Sequence, residues 1–228
     1  MREDTKKLIE DLAGDTESLT PAPPVRARFF AWMAISCICL SVGVVFAHPR
    51  RDLQELITDP MFLVEAISII STALFAGLTA LILSVPGLSF GKAKRAFLWS
   101  VIGWVISFTI AVSYRISFSP QNMQHFTHGF LCSRTLILFS LVPAVALFGL
   151  VRIASPQQMY AAGFFLLLSA GLIGTLGVEL TCPSDDFLHI VIFHFLPPVV
   201  LGAVGMVVGR RFLQRKWKKP SGTENTER

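Results

Sequence analysis

From residue 29 onward the chain is a series of long apolar runs separated by short polar breaks. Six runs, at 29–47, 61–83, 97–114, 135–151, 161–181 and 187–208, reach the roughly 17–25 residues that a helix needs to cross a hydrocarbon core of about 30 Å. They are continuously apolar. Strands of a membrane barrel would be about ten residues long and alternate in polarity, so helices are the spanning elements this pattern predicts. The expected architecture is all-α and polytopic, with a tail at 1–28, a six-helix membrane domain at 29–211 and a basic tail at 212–228. The first run starts only after 28 polar residues and has no small-residue cleavage motif behind it, which predicts a retained span and not a removed signal.

Composition supports this reading. Of 228 residues, 53% are hydrophobic and 15% charged, too apolar for a water-covered domain. Lys and Arg set the orientation, since short loops rich in them stay in the cytoplasm. With the N-terminus inside, sixteen of the twenty lie on inner segments and four, Arg50, Arg51, Arg115 and Arg134, on outer ones. Both termini are thus expected in the cytoplasm. The net charge of +5 is then a topology signal, with no direct nucleic-acid contact implied, because the basic residues sit beside spans and form no separate basic domain. Anionic lipid is the expected partner of the basic C-terminal tail.

The N-terminal tail has two parts. In "MREDTKKLIEDLAGD", Leu8 and Leu12 stand four apart with Ile9 beside them, so a short helix would carry one apolar stripe between charged flanks. The following "DTESLTPAPPVRAR" reads as an extended linker. Such a short helix is marginal alone in water and would order against a partner or a membrane surface.

Candidate chemistry gathers at the outer side. Cys132 precedes span four and Cys182 follows span five, in a compartment that permits disulfides, whereas Cys37 and Cys39 lie inside span one and act as small hydrophobes. Three readings of the outer pair stand open: a disulfide tying spans four and five, reactive or soft-metal-binding thiols assisted by His125, His128 or His189, and cysteines that only pack. Glu65, Glu179 and His194 are candidate buried polar groups, with snorkelling to the interface as the alternative for the carboxylates. Glu179 and Cys182 are three apart and share a helix face, so the carboxylate would raise the thiol pKa and a protonated histidine would lower it. Pro143 and Pro197-Pro198 should bend spans four and six, and the small-residue runs "FAGLTALILSVPG" and "AGLIGTLG" favour close helix packing. No catalytic signature is present, so an enzyme is not expected, and neither is a resident cofactor beyond a transient heavy-metal ion.

The succession "LIEDLAGD", "FLCSRTLIL", "SLVPAVALFGLVR", "ASPQQMYAAGFFLLLSAGLIGTLGVELTCPSDD" and a terminal "GRRF" resembles the NrsF family of six-helix bacterial membrane anti-sigma factors over nearly the whole chain. Its most specific element is the Cys-Pro followed by acidic residues, matched with the cysteine before span four. The resemblance implies a regulator that holds an extracytoplasmic-function sigma factor at the inner membrane through its N-terminal segment. It further implies that Cys132 and Cys182 sense metal or redox stress and that Leu8, Ile9 and Leu12 form the sigma-docking face. Cys37, Cys39 and the long basic end after Arg211 depart from the pattern. The competing expectation is a small transporter or ion-handling protein in which Glu65, Glu179 and His194 line a path. Against it, these groups stop at the outer half.

Overall fold

The computed structural model describes residues 3–7, 22–85, 87, 91–118, 126–154, 156, 158–184 and 186–213. Leu8, Ile9, Leu12 and His125 lie outside the described residues, as does the basic tail beyond residue 213. The described residues are helical and contain no strand. The main rods are α1 (Val25–Ala47), α2 (Pro60–Leu83), α3 (Gly91–Phe118), α4 (Phe126–Arg152), α5 (Met159–Glu179) and α6 (Leu196–Phe212). A single turn, Leu53–Leu56, precedes α2, and another, Phe187–Ile190, leads through a π-helical segment, Val191–Phe195, into α6.

Five stretches are long and apolar enough to cross a membrane: Val25–Ala47, Pro60–Leu83, Gly129–Arg152, Met159–Glu179 and Leu188–Phe212. The third expected span falls within α3, a helix of 28 residues, about 42 Å at 1.5 Å per residue, whose described apolar stretch Phe97–Ile110 follows Lys92, Lys94 and Arg95 in its first turns. The first span begins earlier than the sequence pattern predicts. Val25, Arg26 and Arg28 belong to α1 and not to a linker.

Polarity is arranged as a lipid environment demands. Phe30, Ile38, Phe46, Ile67, Trp99, Leu138 and Val207 are among the exposed large side chains, while Glu65, Thr72, Thr79, Ser169, Thr175, His189 and His194 are buried. In lipid the inward-facing groups must find partners within the protein, and several do. Ser169 Oγ donates to the Ala73 carbonyl at 2.7 Å, joining α5 to α2. Trp32 Nε1 donates to the Pro143 carbonyl at 3.2 Å, joining α1 to the proline bend of α4.

The tightest pairing is α5 with α6. A methyl group on Gly163 would collide with the Gly205 carbonyl oxygen, and one on Gly205 with that of Gly163, so the two backbones meet where no side chain fits. Small residues in the "AGLIGTLG" run serve the same end, since Gly171 faces Pro198 and Gly174 faces Ser140.

One end of the bundle is basic. Arg28, 2% exposed, donates to Ser84 Oγ at 3.0 Å and to the Leu150 carbonyl at 2.9 Å, so the start of α1 and the ends of α2 and α4 lie together. A core of Trp32, Leu81, Leu147, Val151, Ala162, Leu166 and Leu213 packs there. The middle is filled by Ile69, Ala73, Ala76, Trp104, Leu168 and Leu172. At the opposite end Leu136, Phe139, Val178 and Cys182 form a third cluster.

Candidate thiol–imidazole site

The C-terminal end of α5 stops where its sequence requires. Leu180 and Cys182 keep backbone bonds to Leu176 and Val178, the latter at 2.7 Å, and Pro183 cannot extend the ladder. Three residues after Pro183, Asp186 opens the next helix, its carboxylate accepting the His189 amide at 3.1 Å in an N-cap. This short hairpin holds Cys182 beside the first turn of the following rod.

That rod then departs from α geometry. On an α-helix of 3.6 residues per turn, His189 and His194 would point about 140° apart. The π segment at Val191–Phe195 closes i to i+5, shown by the Leu196 amide bonding to the Val191 carbonyl, and swings His194 round to the face of His189. The cause lies in the sequence. Pro197 and Pro198 bring no amide hydrogens for the Phe193 and His194 carbonyls four residues earlier. Hydroxyls from neighbouring helices meet both: Thr175 Oγ1 donates to the His194 carbonyl at 3.1 Å and Ser133 Oγ to that of Phe193 at 3.4 Å. Gly129 of α4 makes room for the Phe193 ring, which brings Cys132 to the same level.

The result is a compact group. Cys132, Cys182, His189 and His194 each offer one ligand atom, and all four atoms lie within 4.8 Å of one another. The two sulfurs are 3.3 Å apart as free thiols in hydrogen-bond contact, and Cys182 Sγ is 3.4 Å from His189 Nε2. The imidazoles meet edge to face with ring centroids 5.2 Å apart. Cys182, His189 and His194 are 6%, 1% and 3% exposed, with Cys132 half-buried. Neither ring nitrogen of His194 has a direct hydrogen-bond partner among the described residues. Cys182 ionises more readily than a lone thiol: the hydrogen bond from Cys132 stabilises its thiolate most, burial opposes, and His189 and His194 add to the stabilisation.

Beside this group is a cavity of about 20 Å³ lined by Arg50, Glu65, Glu179, Cys182, Ser184 and His194 among others, room for about one water. Glu65 is 3% exposed, which corrects the snorkelling alternative for this residue: α2 points it inward from its second turn. Glu179, half-buried, lines the cavity with Cys182 as their three-residue spacing predicts. Arg50, counted in the sequence as an outer-loop charge, is buried at the cavity rim, its amide donating to the Leu180 carbonyl at 3.1 Å. Its guanidinium hydrogen-bonds Asp52, at 2.6 Å from Nε, and holds that carboxyl below the usual range. Before it, His48 turns the chain with φ of 62°.

Of the histidines the sequence places with the thiols, His189 is there; His125 is outside the described residues, and of His128 only the helical backbone is described. His194 is the member that spacing assigns elsewhere. Its only sequence signal is the Pro-Pro that follows it, which predicts a disturbed helix without giving its direction.

These features define a class, a polytopic α-helical membrane protein with a thiol–imidazole cluster sheltered at one end and a basic opposite end. Residues 12–217 match the NrsF family, negative regulator of sigma F, and the chain belongs to that family. It is 34% identical over 222 residues to the anti-sigma-F factor NrsF of Caulobacter vibrioides (strain NA1000 / CB15N), covering 92% of this chain and 99% of that protein. No solved structure matches the chain.

Proposed function

We propose that the protein is an anti-sigma factor that keeps an extracytoplasmic-function sigma factor at the inner membrane until a signal arrives at its outer thiols. The observation that carries this reading is membership of the negative-regulator-of-sigma-F family along residues 12–217. The basic end of the bundle faces the cytoplasm, following the positive-inside rule, and the thiols face outward. The tail stripe of Leu8, Ile9 and Leu12 docks as an ordered helix in a groove of the sigma factor. Binding through a few apolar anchors on a marginal helix is readily reversed by a modest change at the base of α1.

Oxidation of Cys132 and Cys182, or capture of a metal by them, is the triggering event. It acts where α4 meets the α5–α6 hairpin. Arg50 connects that place to the outer end of α1, whose inner end carries the tail.

The alternative of a transport path is disfavoured. Among the described residues, buried ionisable side chains sit at the two ends, Arg28 at one and Arg50, Glu65, His189 and His194 at the other, with a largely apolar middle between them.

The test is co-purification from detergent-solubilised host membranes, comparing wild type with a version lacking residues 1–20. A sigma factor retained by the first and lost from the second is expected. Retention after Leu8→Asp and Leu12→Asp together would overturn the tail assignment.

A further inference from the structure

We infer that Cys132, Cys182, His189 and His194 together form a four-ligand site for one divalent ion of the zinc–cadmium class. The inference rests on the proposed function only for its consequence, since it names the ligand of the outer thiols. The site itself stands on geometry.

An ion with bonds of about 2.3 Å to sulfur and about 2.0–2.1 Å to imidazole nitrogen sets its tetrahedral ligands about 3.8 Å (S–S), about 3.5 Å (S–N) and about 3.3 Å (N–N) apart. The sulfurs are 3.3 Å apart, Cys182 Sγ is 3.4 Å from His189 Nε2, and no pair of ligand atoms exceeds 4.8 Å. Changes of about 0.1 Å for the Cys182–His189 contact up to at most about 1.5 Å for the widest pair reach the tetrahedron, within the range of side-chain rotation. His194 supplies the second independent sign: an imidazole 97% buried whose two ring nitrogens lack direct partners among the described residues is costly in an apolar bundle. A metal bond to one nitrogen removes much of that cost.

Charge selects the ion. Binding M²⁺ to two thiols releases two protons to solvent and leaves a neutral M(S)₂ centre with two neutral imidazoles, the form a site with little water can hold. Thiolate and imidazole suit borderline and soft ions, whereas magnesium and calcium require oxygen ligands. Because Cys132 is on α4, Cys182 follows α5 and the histidines precede α6, one ion ties three rods together at this end of the bundle. Glu65 and Glu179 line the adjoining cavity together with Arg50.

The test uses the reduced, full-length protein in lipid nanodiscs with Zn²⁺, Cd²⁺ and the spectroscopic probe Co²⁺. One ion per chain is expected, with an X-ray absorption shell of two sulfurs and two nitrogens and a thiolate-to-cobalt charge-transfer band. His189→Gln and His194→Gln should each weaken Zn²⁺ by at least about tenfold, since losing even an outer partner costs 10–100-fold. Cys132→Ser and Cys182→Ser together should abolish the band. A shell of two sulfurs with oxygen only, or wild-type affinity in His194→Gln, overturns the site. If a variant does not fold, the wild-type shell still decides. Adding Zn²⁺ to the complex with sigma separates the two readings. Four-ligand binding without release keeps the site and removes metal as trigger; release by a thiol oxidant with no metal bound keeps the regulator and removes the site.

Discussion

The Cys182 thiol sits between a second thiol and two imidazoles, and its chemistry follows from that company. The hydrogen bond from Cys132 favours the Cys182 thiolate over its burial, and the histidines assist. A depressed thiol pKa means that thiolate persists as pH falls below the ordinary value of about 8.5. Cys132→Ser in the metal-free protein replaces an S–H donor by a shorter hydroxyl and should move the Cys182 titration back up, read from thiolate absorbance against pH. An unchanged midpoint would leave the histidines alone responsible. His194→Gln should shift the titration in the same direction by less.

At the scale of elements, the π segment depends on two missing amides. Replacing Pro197 and Pro198 with Ala restores both donors to the Phe193 and His194 carbonyls and favours a regular helix, which turns His194 away from His189. The expected outcome is higher helical stability with loss of the short histidine–thiol distances, measured by distance-dependent labelling or by the weakening of Co²⁺ binding. The α5–α6 seam behaves oppositely. Gly205→Leu places a side chain against the Gly163 carbonyl, a backbone atom that cannot step aside. Overpacking costs about 1–3 kcal/mol in ordinary cores and more against backbone, so detergent thermal unfolding should fall clearly. A silent Gly205→Leu would contradict the close backbone approach.

For the whole molecule, α1 is the least enclosed of the five long apolar spans, held by Arg28 and Trp32 in its N-terminal half and followed by Arg50 beyond its C-terminal end. Arg28→Met keeps an apolar stem but removes hydrogen bonds from a charged donor, each worth about 1.5–3 kcal/mol. It should loosen α1 and reduce sigma retention while leaving Zn²⁺ binding intact. Arg50→Gln is expected to do the reverse: metal still binds, and its effect on sigma retention is lost. Equal behaviour of both variants in both assays would remove α1 as the connecting element.

The sequence by itself determined the all-helical membrane architecture, because uninterrupted apolar runs leave only helices able to satisfy a backbone in lipid. It also marked the break at Cys182-Pro183 that ends α5, since a proline acts on its own neighbours. Span order put Cys132 and Cys182 at the same end of the bundle, and the three-residue spacing put Glu179 and Cys182 on one helix face. Tertiary structure alone decided the rest. His194 joins the thiols only because a π turn, supported by hydroxyls on α4 and α5, rotates it, and no local pattern encodes that rotation. Glu65 and Arg50 turn inward only once other helices supply their surroundings. Arg28, a topology charge on paper, becomes a fastening because Ser84 and Leu150, distant in the chain, arrive at its guanidinium. Periodicity reports which face is apolar; which polar groups meet across faces is fixed by packing between rods.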